Sequence, residues 1–284
     1  MNKIMFVPFK EILKDAYSNK YAVGAFNCLS LENAMGAIQA AEELRSPIII
    51  QLAEVQFPYS PMEKMAPVFI ESAEKASIPV CVHLDHGQSL ETCVRAMKLG
   101  FQSIMYDGAN LPLEENIRNT KEIVRIARAL NVDIEAELGK VGNANSEQDN
   151  VSDIFTDVDE SAYFIKETAV DALAIAIGNL HGKYVATPQL NIERLQEINN
   201  RNRLPLVLHG GSGTSFEDFK SCIHNGICKI NVATAIQIAV TNKLEKYFKT
   251  VSNPNYIDMK YQMVEASKEA VIEHMLLFES NGKA

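Results

Sequence analysis

The feature that most constrains this chain is an alternation. Eight short runs of apolar, often β-branched residues are each followed by a stretch with helical spacing. The runs are 21–27, 47–53, 79–87, 103–107, 133–138, 172–178, 204–209 and 227–231. Helical patterns fall at 9–17, 31–44, 63–76, 89–99, 113–130, 160–168, 192–200, 215–224, 235–250 and 261–278. Near-continuous apolar strands are buried on both faces, which parallel sheets covered by helices require. Eight strand–helix units in 284 residues predict an α/β fold, a closed (β/α)8 TIM barrel with additional terminal helices, since such barrels run to ~250 residues. A doubly wound sheet is the rival, but no glycine-rich turn with dinucleotide spacing follows the first strand. No Pro-rich or Gly/Ser-rich linker interrupts the chain, so one domain over 1–284 is expected.

Composition matters for what it excludes. A formal net charge of -9 argues against a nucleic-acid partner, because binding a phosphate backbone needs a basic face. A small phosphorylated ligand remains open, since backbone N–H groups and one or two cations suffice to hold it. Cys28, Cys81, Cys93, Cys222 and Cys228 are scattered, without CxxC spacing, and read as reduced packing residues of a cytoplasmic protein. The first twenty residues mix acids with bases and contain a proline, unlike a secretory signal. No run is apolar for long enough to suggest a membrane span.

If the chain closes into a barrel, every strand ends on one face, so the polar residues at those ends converge. The third strand is the richest, PVCVHLDHG at 79–87. His83 and Asp85 share a strand face; His86 joins them only if the chain bends, which Gly87 permits. His86, His181 and His209 end the third, sixth and seventh strands and together match a catalytic zinc site with a position left for substrate. His83 lies deeper and is expected to hydrogen-bond within the core. His224 and His274 fall in helical patterns and are expected on a surface or in helix packing.

Glu135 and Glu137 share one face of the fifth strand, and buried carboxylates need partners. A metal or a cationic substrate group would supply one. Asp107 and Glu137 read equally as supports for the ligands, as a second metal position, or as unrelated structural acids. HGGSG at 209–213 and NVAT at 231–234 follow the last two strands, where small residues let N–H groups approach an anion and Ser212 and Thr234 add hydroxyls. Tight turns with good helix caps are the alternative. The polar run 139–159 is expected to be a structureless loop or lid.

At this point the chain resembles the class II, zinc-dependent ketose-bisphosphate aldolases of the fructose- and tagatose-bisphosphate type. The matching segments are AFN at 25–27, HLDHG at 83–87, EENIRNTKEIV at 114–124, EAELG at 135–139, AIGNLHGKY at 176–184, LPLVLHGGSG at 204–213 and KINVAT at 229–234. Their order and spacing match the family from about residue 21 to 234.

The resemblance implies a lyase of carbohydrate metabolism in which His86, His181 and His209 bind Zn2+ and Asp85 transfers the proton. It implies that Gly182, Gly210, Ser212, Asn231 and Thr234, with the adjoining Gly211 and Ala233, hold the dihydroxyacetone-phosphate half, and that Asn27 lies close by. Asp107 and Glu137 align with acids that hold a second or displaced metal ion. A mobile acid, Glu147 or Asp149, would manage protons at C3. Family membership further implies a homodimer or homotetramer and a monovalent cation, Na+ or K+, near the phosphate.

Three departures stand out. The mobile loop reads GNANSEQDN in place of a GGQEDD-like segment, and Val185 replaces the lysine that often follows HGxY, leaving Lys183 nearby. The family's serine after the second strand is Ala53, and its arginine-bearing C-terminal segment is the arginine-free YIDMKYQ. Without those anion partners, the expected substrate is a ketose 1-phosphate or related sugar acid as readily as a ketose 1,6-bisphosphate. The rival classes are a Schiff-base aldolase, for which the sixth strand offers no lysine, a metal-dependent barrel epimerase or hydrolase, and a non-catalytic scaffold.

Overall fold

The computed structural model describes residues 6–139, 142–143, 155–181, 189–211 and 213–284, with residues 142–143, 180 and 181 described by their backbone alone. Its centre is a closed parallel barrel of eight strands: β1 (Val23–Asn27), β2 (Ile48–Ala53), β3 (Val80–Gly87), β4 (Ser103–Tyr106), β5 (Asp133–Leu138), β7 (Ala172–Ile175), β9 (Leu206–Leu208) and β10 (Ile227–Val232). The barrel closes where Ala25 of β1 pairs with Asn231 of β10. Outside it, β6 (Gly142–Asn143) and β8 (Leu180–His181) form a parallel two-stranded ribbon.

Helices α2 (Leu31–Leu44), α3 (Met62–Lys75), α4 (Leu90–Lys98), α5 (Leu113–Ala129), α6 (Val158–Thr168), α7 (Ile192–Asn202), α8 (Phe216–His224) and α9 (Thr234–Thr250) join and cover the strands. Local chemistry sets their ends. Ser30 and Ser89 cap α2 and α4 by accepting from the N–H groups of Asn33 and Thr92. Gly100 takes φ 93° just past α4, where a side chain would be strained.

The barrel interior is apolar at its N-terminal end. There α1 (Phe9–Asn19) inserts Phe9, Ile12 and Leu13 against Val23, Ala25, Ile49, Cys81, Ala174 and Val207. Phe9 stacks on the His83 ring at a centroid distance of 5.1 Å. The last helix, α10 (Tyr256–Leu277), packs so tightly on α2 that a Cβ on Gly36 would sit 2.5 Å from the Val264 carbonyl oxygen. No helix among the described residues is long and apolar enough to cross a membrane.

The structure corrects several expected boundaries. The run 139–159 is not wholly structureless, since Gly142–Asn143 pairs with β8 and Asp157 caps α6 through the N–H groups of Asp159 and Glu160. The sixth barrel strand stops at Ile175, because the chain turns through Gly178 at φ 103° and the Asn179 side chain accepts from the Ile177 N–H. A single 3-10 turn, Glu54–Gln56, follows β2. Helix α10 begins at Tyr256, where Asn255 accepts from the Asp258 N–H, five residues before its apolar pattern starts.

Candidate active site

Strand β3 carries the polar cluster, and its backbone decides which side chains share the mouth of the barrel. His83 and Asp85 point inward by simple alternation. His86 joins Asp85 because His86 itself adopts φ 47°, and the pairing with β4 shifts register between Leu84 and Gly87. The bend foreseen at Gly87 therefore lies one residue earlier. Gly87 is demanded by crowding instead, since a Cβ there would meet the Met105 carbonyl oxygen at 2.8 Å.

The imidazoles of His86 and His209 meet edge to face, with His86 Nε2 2.9 Å from His209 Nδ1. Each ring has its other nitrogen on a carboxylate: His86 Nδ1 is 2.8 Å from Asp107 Oδ2, and His209 Nε2 is 2.9 Å from Glu135 Oε1. Glu137 Oε2 lies 3.8 Å from His86 Nδ1 and 3.7 Å from His209 Nδ1. Potential ligand atoms of Asp85, His86 and His209, and likewise of His86, Asp107 and Glu137, fall within 4.8 Å of one another. Ring nitrogens facing each other, each backed by a carboxylate, are candidate ligands for a divalent ion.

Asp85 is buried and held by amides on both sides. Asn27 Nδ2 donates to its Oδ2 at 2.9 Å and Asn231 Nδ2 donates to its Oδ1 at 2.9 Å. Gln51 in turn donates to Asn27 Oδ1 at 3.0 Å, so three strands fix the rotamer of one carboxylate. Burial works against its charge, but the neighbouring His86 and His209, Lys229 and the Asn27 hydrogen bond outweigh it and keep the Asp85 carboxyl below its ordinary range. Burial likewise opposes charge on His86, yet Asp85, Asp107 and Glu137 lift it to about 10. Glu137 is pushed up to about 8, chiefly by burial and by nearby carboxylates, with His86 pulling the other way.

Beside this cluster the ends of β9 and β10 approach each other. The Gly211 N–H donates to the Asn231 carbonyl at 3.2 Å, and a Cβ on Gly211 would clash with Ile230 at 2.7 Å. Gly210 takes φ 70°. Ala233 and Thr234 open the 17-residue α9, whose N-terminal amides and dipole favour an anion at this edge.

Comparison with known proteins decides what this arrangement belongs to. The model of the family "Fructose-bisphosphate aldolase class-II" matches residues 7–283. The chain belongs to the class II fructose-bisphosphate aldolase family. It is 39% identical to the 6-phospho-5-dehydro-2-deoxy-D-gluconate aldolase of Bacillus licheniformis, covering 98% of this chain and 97% of that protein. It is 37% identical to the fructose-bisphosphate aldolase of Geobacillus stearothermophilus, covering 98% of each. The crystal structure of the YdjI aldolase from Escherichia coli K12 superposes with a TM-score of 0.90 at 36% identity, over 99% of this chain and 100% of that one. The protein is therefore an aldehyde-lyase, and its family implies a divalent metal and a phosphorylated sugar substrate.

In this aldolase the structure brings Asn27, Asp85, His86, Asp107, Glu137, His209 and Asn231 to one mouth. The side chain of His181, together with Gly182, Ser212 and the loop acids Glu147 and Asp149, lies outside the described residues. Three functional neighbours escaped the sequence reading. Gln51 was visible as a polar residue inside the apolar run PIIIQLA, and Asn179 donates to the His209 carbonyl at 3.0 Å. Lys229, the first residue of KINVAT, is fully buried in the barrel with Nζ 2.8 Å from Glu135 Oε2. The partner of Glu135 is thus a lysine of the chain, where a metal or substrate cation was expected.

Proposed function

We propose that this class II aldolase reversibly cleaves the C3–C4 bond of a ketose phosphate, releasing dihydroxyacetone phosphate and an aldehyde whose far end carries no required phosphate. The observation that carries the reading is Asp85, clamped by two amides next to the facing imidazoles of His86 and His209. A Zn2+ ion held by His86, His209 and, from the sequence, His181 would supply Lewis acidity toward the C2 carbonyl of the ketose.

Asp85 takes the proton from the C4 hydroxyl. The C4–O bond becomes a carbonyl, the C3–C4 bond breaks, and its electron pair is left on C3 beside C2. Condensation runs the same steps backwards, with Asp85 returning the proton. Gly210, Gly211, Asn231, Ala233 and Thr234 hold the phosphate of the three-carbon half with backbone N–H groups and the Thr234 hydroxyl, with a Na+ or K+ ion beside it. Asp107 and Glu137 offer an alternative position for the divalent ion.

Two features support a free distal end. Ala53 lies next to Asp85 across the β2–β3 pair, where it offers no hydroxyl. Lys260, the cation of YIDMKYQ, is committed to Glu32 at 2.6 Å. The name of the Bacillus licheniformis relative also describes a sugar acid with a single phosphate. Cleavage rates for a ketose 1-phosphate and its 1,6-bisphosphate test the reading, and a hundredfold preference for the bisphosphate rejects it. Chelation should abolish cleavage and borohydride with substrate should not, which separates this chemistry from a Schiff base.

We further propose that the protein assembles as a homodimer or homotetramer, as membership of its family implies. Sedimentation is expected to show at least a dimer, and a monomer would reject this assembly. The five cysteines are all buried and unpaired, which fits a reducing cytoplasm.

A further inference from the structure

Below the mouth, the barrel encloses an ion pair that the reaction described above does not use. Glu135 and Lys229 are both fully buried, and together they sit under His209. A charged pair taken out of water is expensive, and apolar residues of similar volume often serve stability as well or better. Its geometry suggests what else it does. Oε2 of Glu135 faces Lys229 Nζ at 2.8 Å and His83 Nε2 at 3.6 Å, while Oε1 faces His209 Nε2 at 2.9 Å. His83 is itself fixed by Ser103 through Nδ1 and by the stacked ring of Phe9. The carboxylate cannot turn without giving up one of these partners.

We propose that Glu135, anchored by Lys229, is a positioning residue for His209: its carboxylate accepts a hydrogen bond from the Nε2–H and so presents Nδ1 to the divalent ion. A competing donor near Nε2, the Asn231 amide at 3.3 Å, is more distant and also donates to Asp85 at 2.9 Å. An ionised carboxylate at the shorter distance therefore places the ring proton on Nε2. Nδ1 is then the nitrogen turned toward His86. Lys229 supplies the fixed positive charge that holds the carboxylate in this orientation. With no exposed surface and its Nζ spent on Glu135, it is not placed to attack a substrate carbonyl. The proposal rests on reading His209 as a metal ligand.

The test measures Zn2+ affinity by chelator competition and the visible spectrum of the Co2+ form, alongside thermal unfolding. Glu135→Leu combined with Lys229→Met removes the acceptor and the cation together, leaving no unpaired buried charge. We expect this double variant to fold, to bind Zn2+ about 10–100-fold more weakly and to show an altered Co2+ spectrum. Glu135→Gln with Lys229→Met restores a neutral acceptor for Nε2 and is expected to recover most of the affinity. Wild-type affinity and spectrum in the Leu/Met variant would overturn the proposal, as would failure of the Gln/Met variant to recover.

His209→Ala separates this failure from that of the wider reading. Unchanged metal binding in that variant removes His209 as a ligand and the proposal with it, whereas a loss there without one in the Leu/Met variant rejects the proposal alone. If the Leu/Met variant does not fold, long-range 1H–15N correlations of the Zn2+-loaded wild type decide. A proton on His209 Nε2 supports the proposal, and metal on Nε2 rejects it.

Discussion

The two ends of the barrel interior are built from the same strands and follow opposite rules. At the N-terminal end, Val23, Ile49, Cys81 and Val207 surround Phe9 and Leu13 in a dry plug. At the other, Asn27, Gln51, Asp85, Glu137, His209 and Asn231 are linked by hydrogen bonds and ion contacts, and Gln51 Oε1, Glu137 Oε2 and Asn231 Oδ1 are buried there without a hydrogen-bond donor among the described residues. On β1 the change takes two residues, from Ala25 to Asn27. Burial of apolar area holds the plug and tolerates swaps of similar volume. The mouth depends on each donor meeting its acceptor, and the loss of one partner leaves another exposed to the full cost of desolvation. Stability and chemistry are thus stacked along one axis.

The largest expected effect is at the mouth. Asp85→Asn should lower kcat by about 10^2–10^4-fold, the usual contribution of a positioned acid–base group, and should cost less stability than a plug variant, although its Nδ2 would face one of the two amides that now donate to Asp85. A comparable loss of stability would break the comparison. At the plug, Phe9→Ala should cost about 3–5 kcal/mol of stability and leave kcat within severalfold, as denaturant titration and steady-state rates would show. A collapse of kcat in a folded Phe9→Ala protein would mean that the plug reaches the chemistry through His83.

Metal removal and pH sharpen the same contrast. In the metal-free protein the folded value for His86, about 10, lies above its unfolded ~6.5, and that for Glu137, about 8, lies above ~4.3. The folded state therefore binds more protons across these windows, so stability falls as pH rises. The His86 contribution is complete below about 6.5 and is lost as pH passes 10, while that of Glu137 is lost by about pH 8. Urea midpoints at pH 6.5 and 9.5 should separate in chelator and converge when Zn2+ is bound; equal separation in both would remove His86 from the metal site. The smallest effect is expected at Lys260→Met, which removes the half-exposed cation paired with the buried Glu32 carboxylate, at a cost of about 1 kcal/mol. It should leave cleavage of both the 1-phosphate and the 1,6-bisphosphate unchanged, and a selective loss with the bisphosphate would return Lys260 to the distal phosphate.

What could be seen in the linear chain follows from this division. The strands and the helical cover were legible because apolar periodicity is local, and so was a helix at 9–17, but its place as the plug of the barrel was not. The start of α10 was missed because Tyr256 and Ile257 are exposed and the apolar pattern begins later, although Asn255 carried the cap signal. At the mouth, residue types and strand ends were legible, but pairings across the barrel were not. Glu135 and Lys229 lie on β5 and β10, far apart along the chain, and the alternation that revealed one buried acid said nothing about its partner. The turn at His86 was also hidden, because positive φ is uncommon outside glycine and the glycine next door was the better candidate.

That turn reaches further than orientation. Because the bulge in β3 sends two consecutive side chains to the same opening, a single peptide unit sets the spacing between the Asp85 carboxylate and the His86 imidazole, with Nε2 3.9 Å from Oδ1. Adding or deleting one residue in this strand would send one of the two groups into the wall, so the strand backbone itself guards this separation.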